Sequence, residues 1–262
     1  MELTKTTQAA LKNFSLINTN FVFDPSVSGN KTIMTINEHN NIFAKYVLED
    51  EILEPFAIYD LNEFLSALSL VNTPYAGSSG YKAPANPHMD FDSIDAGVLR
   101  ISGEDRVLEY VYSDPEIHNM NYPRKDLTQA VSDLDDGNSV SIELSRDDIN
   151  NFRKACSVIG VSNFYITSHP GKSKVLAEFR DSENQSSNTF RSTIAHGDSW
   201  KPYDFSFRLF AENLKCVSGN YTLILSDLYP SLWIPAESNI PKIHYLIAVE
   251  KPSHFTRNSN NQ

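Results

Sequence analysis

Twice along this chain a stripe of apolar residues at helical spacing gives way to a series of short strand-like runs, and that recurrence narrows the possible folds more than any single motif does. Over residues 4–17, Leu3, Thr7, Ala10, Leu11, Phe14 and Ile17 fall on one face, while Lys5, Gln8, Lys12 and Ser15 fall on the other. Strand-like segments follow at NTNFVF, KTIMTI and NIFAKYVL, separated by Gly and Asn turns. A second helix is predicted at IYDLNEFLSALSLV, with Asp60 as N-cap, Glu63 at capping-box spacing, and Leu61, Phe64, Leu65 and Leu68 facing inward. VLRIS and RVLEYVY end the first half.

The second half repeats that order. VSIEL leads into SRDDINNFRKACSVIG, a helix capped by Ser145 whose buried side is marked by Ile149, Phe152, Cys156 and Ile159. NFYITS, KVLAEFR and NTFRSTIA read as strands. DFSFRLFAENLKCV alternates at first and reads as a short helix from about Arg208; YTLILSDL and IHYLIAVE close the half, and residues after Pro252 read as a frayed polar end. The second helix follows the first by 56 residues in one half and about 60 in the other. Residues 73–93, rich in Pro, Gly, Ser and Ala, read as a surface loop, and 114–138, with Pro115, Pro123 and Asp133, Asp135 and Asp136, as a linker. The expected organisation is an α+β chain of two similar domains, 1–113 and 139–262, joined by 114–138, each with two helices packed on antiparallel sheets.

Charge sharpens the reading. The chain has 33 acidic and 22 basic residues and a formal net charge of -11, which disfavours nucleic-acid binding through bulk charge. The acids are unevenly spread. None lies between Leu3 and Phe23, where Lys5 and Lys12 stand. None lies between Ile149 and Ala177, where Arg153, Lys154, Lys172 and Lys174 stand. On the third helix Arg146, Asn150, Arg153 and Ser157 line up opposite the apolar stripe, and the fourth helix carries Arg208 and Lys215 beside Glu212. Basic helix faces on an acidic molecule attract phosphate without reading bases; the alternative is the solvated face of any amphipathic helix.

Motifs for catalysis fail one by one. HPGKS places Ile166 where a phosphate-binding loop requires Gly. Asp133, Asp135 and Gly137 start a calcium-loop pattern that lacks the acid before the Gly and the terminal Glu. Neither HExxH nor GxSxG occurs, and His118, His169 and His254 fall in expected loops. Asp90 and Asp92 allow a metal-dependent nuclease as an alternative, but in a Pro/Gly segment they read as surface acids. Cys156 and Cys216 sit in apolar patterns and read as reduced core residues. No metal or cofactor is expected. MELTKTTQAALKNF lacks the apolar run of a signal peptide, and no segment is long enough to span a bilayer, so a cytosolic, non-membrane protein is expected.

LTKTTQAALKNFSLIN, IMTINEHNNIFAKYVLED and FAIYDLNEFLSALSLVN closely resemble the N-terminal domain of the polymerase sliding clamps of T-even-type bacteriophages, within the wider superfamily of PCNA and beta clamps. IELSRDDINNFRKACSVIG and FSFRLFAENLKCVSGNYTLIL extend the likeness into the second half; the chain departs from it at 73–93 and at LYPSLWIPAESNIP. The resemblance implies a DNA clamp fold and a non-enzymatic, head-to-tail homotrimeric ring around double-stranded DNA that tethers the replicative polymerase in the cytoplasm of an infected bacterium. It implies Lys5, Lys12, Arg146, Arg153, Lys154, Arg208 and Lys215 toward DNA, with Arg153 and Lys12 exposed. It implies partner peptides from the polymerase C-terminus, an ATP-dependent clamp loader, and a late-transcription sigma-like factor and co-activator. Their pocket would draw on Ile36, Ile42, Ala44, Tyr122 and Pro123, with Val249, Glu250, Lys251 and Pro252; the alternative is that Ile36, Ile42 and Val249 are plain core residues. The clamp needs no cofactor, since ATP serves the loader. A viral structural or adaptor protein rich in β-structure is the other competing reading.

Overall fold

The computed structural model describes residues 1–72, 86–90, 97–103, 106–114, 116, 120–128, 139–181, 188–226 and 228–257. Contacts divide the chain into two units, Met1–Asp126 and Leu127–Gln262.

In the first unit the acid-free stripe forms α1 (Lys5–Ser15), with Thr4 as N-cap accepting from the Thr7 amide. Thr7, Ala10, Leu11 and Phe14 are buried, as helical periodicity requires. The chain continues through β1 (Phe21–Phe23), a short α2 (Pro25–Ser28), β2 (Thr32–Ile36), β3 (Ile42–Val47) and β4 (Phe56–Ile58) to α3 (Leu61–Asn72). Phe56–Ile58 pairs with β1 in the register Phe21↔Ile58, so α3 begins three residues later than the sequence pattern suggests. Asp60 does cap it: its Oδ1 accepts from the amides of Asn62 (2.9 Å) and Glu63 (3.1 Å). Leu61, Phe64 and Leu68 are buried and Leu65 is half-buried. α1 packs on α3 over Phe14, Phe21, Phe23 and Phe56, and Phe64 meets Tyr110 edge-on with centroids 5.1 Å apart. β5 (His88–Asp90), β6 (Val98–Ser102) and β7 (Val107–Val111) form a three-stranded antiparallel sheet with β7 at one edge.

Residues 120–126, part of the expected connecting stretch, are packed on this unit. Asn18 donates to the carbonyls of Ile36 (3.0 Å) and Asn121 (2.8 Å), and Asn121 donates to that of Asn37 (2.8 Å). Met120 lies against Val22 and Ala57, and Lys45 pairs with Asp126. Asp133, Asp135, Asp136 and Gly137 fall outside the described residues, as do His118, Asp92 and most of 73–93.

The second unit opens with β8 (Ser139–Leu144) and α4 (Arg146–Ile159). Ser145 and Asp148 make a full capping box, and Gly160 closes the helix in the left-handed conformation at φ 74°. Phe152 of α4 meets Phe164 and Phe179, with centroids 5.9 and 5.6 Å away, on a five-stranded sheet ordered β11 (Phe190–His196), β10 (Lys174–Phe179), β9 (Asn163–Ser168), β12 (Tyr203–Phe210) and β16 (Glu250–Arg257). β8 pairs with β13 (Tyr221–Ser226), which continues to β14 (Ser231–Pro235) and β15 (Ile243–Ile247). Tyr221, Trp233 and Tyr245 fill this layer.

Two expectations need correction here. The helix predicted from about Arg208 is strand to Phe210, because Phe205, Phe207 and Leu209 alternate inward; only Ala211–Lys215 turns, as a 3-10 helix. Residues 253–257, expected to fray, are paired strand, because Phe255 alternates inward and stacks on Phe205 and Phe207. Ser231–Pro235 is a buried strand within the segment where the sequence departs from its resemblance.

Candidate nucleic-acid interface

On a helix with buried positions 7, 10, 11 and 14, the opposite ridge is drawn by residues 5, 9 and 12. Lys5 and Lys12 therefore stand on the outermost line of α1, two turns or about 10 Å apart at 1.5 Å per residue. Both are exposed, and neither ammonium has a hydrogen-bond or ion-pair partner among the described residues. α1 carries no acid, and the exposed side of α3 carries one, Glu63 in its first turn, beside Asn62, Ser66, Ser69 and Leu70. The acids of this unit gather elsewhere, as at Glu49, Asp50, Glu51 and Glu54.

On α4 the outer ridge passes through Arg146, Asn150, Lys154 and Ser157, all exposed. Of the two acids in the first turn of this helix, Asp147 is exposed beside the ridge, and Asp148 is tied into the cap, accepting from the Ser145 amide at 2.9 Å. The side chains of Arg146 and Lys154 have no partner among the described residues.

Arg153 is different. It is half-buried, and its guanidinium is spent within the fold: Nε donates to the Leu214 carbonyl (2.7 Å), and Nη2 to those of Lys215 (3.0 Å) and Val217. The Leu214 carbonyl also accepts from the Val217 amide at 3.2 Å, and arginine supplies several donors in a fixed fork to the carbonyls at the end of this 3-10 turn. Tyr245 completes the set by donating to the Cys216 carbonyl at 2.8 Å. The expectation that Arg153 is a free exposed charge is corrected: helical periodicity places it at the border of the apolar stripe but cannot show the carbonyls beside it. Lys215 is paired with Glu212 at 3.2 Å, and Arg208 lies on β12, half-buried.

The residues taken for a peptide pocket are distributed over both units. In the first, Ile36, Ile42, Ala44 and Pro123 are buried. Tyr122, capped by the Arg124 guanidinium 3.9 Å from its ring centroid, joins Pro123, Val22, Val27 and Met34 around a depression of about 10 Å³, which does not include Ile36, Ile42 or Ala44. In the second, Val249 and Glu250 are half-buried and Lys251 and Pro252 exposed. The thiols of Cys156 and Cys216 are buried, and burial pushes them up to about 11 and about 12. Asp90 lies half-buried on β5.

A family model for DNA polymerase processivity factors matches residues 4–75, the segment that holds α1 and α3. Curated sliding clamps match over nearly the whole chain: that of Escherichia phage RB69 is 26% identical over 97% of this chain and 98% of its own, and that of Enterobacteria phage T4 is 25% identical over the same shares. The sliding clamp of Vibrio phage KVP40 is 26% identical over 84% of this chain and 88% of its own. The chain is similar to these phage sliding clamps over nearly its whole length. The resemblance read from the sequence, to the sliding clamps of T-even-type phages, is upheld. The fold agrees. A. fulgidus PCNA, in a structure with the C-terminal region of FEN-1, superposes with a TM-score of 0.60 at 12% identity over 94% of this chain and 96% of its own. The H. pylori beta clamp superposes at 0.61 with 18% identity, over 93% of this chain and 63% of its own. The α+β clamp fold expected from the sequence is the fold observed.

Proposed function

We propose that this sliding clamp is a non-catalytic homotrimeric ring that encircles double-stranded DNA and tethers the replicative polymerase through the polymerase's C-terminal peptide. One observation carries this reading: on a chain of net charge -11, Lys5 and Lys12 stand unpaired on the outer ridge of an acid-free helix. Arg146 and Lys154 hold the same position on α4. Such ridges attract phosphate along any sequence, while the net negative charge of the remainder disfavours it, so duplex DNA is drawn chiefly to the helices.

Ring closure is supported by two open strand edges of different kind. β7 exposes Val107 (52%) and Val111 (73%) at the edge of its sheet, and β11 exposes Phe190 (42%) at the edge of the other. Unpaired edges are templates for pairing with another chain, and a heterologous pair of surfaces closes a ring. Two clamp domains, 1–113 and 139–262, joined by 114–138, would give such a trimer six. Its other partners are an ATP-dependent loader and a late-transcription sigma-like factor with its co-activator, in the cytoplasm of the infected host. Native mass and negative-stain images test the assembly: a trimer with an open centre supports it, whereas a stable monomer or a solid particle refutes it.

A further inference from the structure

In the second unit, a cleft of about 240 Å³ opens beside the C-terminal end of α4, lined by Ser162, Asn163, Tyr165, Arg180, Asp181 and Arg208 among others. The volume equals roughly eight waters' share of the liquid, so the cleft takes a polyatomic ligand. Its polar groups are under-used. Arg208 Nε is buried without an acceptor, and Asn163 Oδ1 is buried without a donor. The remaining contact of the Arg208 guanidinium is a long one, Nη1 to the Lys251 carbonyl at 3.5 Å. Glu250 stands opposite Arg208 in the β12–β16 register, yet the two form no ion pair. Arg180 lies over the Tyr165 ring at 4.6 Å, and its Nε is 3.3 Å from Glu178 Oε2 without hydrogen-bond geometry. Neither guanidinium donates to a carbonyl of the last turn of α4, so capping that helix does not account for them.

A buried guanidinium edge with no acceptor carries the full desolvation cost of a charged donor, and such edges fit tetrahedral oxyanions in two-point contact. We propose that this cleft binds a phosphate group, with Arg208 as the anchoring donor and Arg180 as the second cation; the Asp181 carboxylate on the rim lowers its affinity for a free anion. The phosphate is either a small free anion or a phosphodiester of DNA. The proposal stands on the geometry of this unit and does not depend on ring closure.

Two measurements on the full chain decide it. Thermal unfolding is followed in inorganic phosphate and in chloride at equal ionic strength. Phosphate is expected to raise the midpoint of the wild type and to raise that of Arg208→Met less, with the apparent affinity at least tenfold weaker. An equal rise in both, or none in either, overturns the site. Arginine side-chain NMR of the wild type needs no variant to fold: movement of the Arg208 Hε signal with inorganic phosphate assigns a free anion, movement with duplex DNA alone assigns the phosphodiester, and movement with neither overturns the proposal.

Discussion

Replacing Arg153 by methionine keeps most of the side chain's volume and helix propensity but removes the donors to Leu214, Lys215 and Val217. Leu214 and Val217 are buried, at 1% and 0% exposure, whereas Lys215 is exposed; the Leu214 carbonyl keeps the Val217 amide at 3.2 Å and water can reach that of Lys215, so the Val217 carbonyl is the one left without a donor. A buried acceptor left without a partner costs about 1–3 kcal/mol. Arg153 is itself half-buried, so some water enters after it, and the expected loss is about 1–2 kcal/mol. The molecule has a built-in reporter for this: both tryptophans, Trp200 and Trp233, lie in the second unit, so urea unfolding followed by tryptophan fluorescence reads that unit alone. At a urea slope of about 1–3 kcal/mol per M, the midpoint falls by about 1 M. Lys154→Met, one residue along and exposed, is the control, expected within about 0.5 kcal/mol of wild type. If the two variants unfold at the same urea concentration, the fork to the 3-10 turn contributes nothing and the account of Arg153 fails.

Lys5→Glu combined with Lys12→Glu is expected to leave stability within about 0.5 kcal/mol of wild type, since both side chains are exposed and unpaired. It reduces the salt dependence of DNA retention by up to about 2 per subunit in log–log slope; an unchanged slope means that α1 does not meet phosphate. Ser145→Ala removes the capping box of α4 and is expected to cost about 1 kcal/mol in the fluorescence titration, against no change for Ser157→Ala on the outer ridge. The pH dependence follows from the thiols. Burial raises Cys156 to about 11 and Cys216 to about 12 from an ordinary value of 9.0, so above pH 9 the unfolded chain releases protons that the folded chain retains. Their contribution is complete below pH 9 and is lost as pH climbs toward 12, joined above pH 10 by the buried phenols of Tyr221 and Tyr245, which burial also raises. A melting curve that falls equally steeply in Cys216→Ala over that range contradicts this assignment for Cys216.

What could be read from the sequence followed the strength of its periodicity. α1 and α4 are long enough for the 3.6-residue stripe to repeat, and their caps, Ser145 above all, are written in residue types that serve few other purposes. The turn at Ala211–Lys215 is five residues, too short to show a period, and it follows directly on the alternating Phe205, Phe207 and Leu209, so its start was displaced into the strand. β16 has one inward aromatic, Phe255, among polar neighbours, and its pairing with β12 is a long-range choice that local composition does not encode. The basic ridges were legible as angular positions. Which cations point outward unpaired and which are consumed by carbonyls was not, because the consumers of Arg153 lie more than sixty residues further along the chain.

The division of labour between the two kinds of cation has a mechanical consequence. Arginine is turned inward at position 153, where a rigid planar fork can grip several oxygens at fixed angles. Lysine occupies the ridge of α1, a hydrated point charge on a pliant stem that imposes no angular fit on whatever it attracts. Facing a duplex, as proposed, a surface of that kind would offer it a nearly level track: each ammonium could trade one oxygen for the next while keeping its water, so the same charge that retains the strand would put little friction in its way.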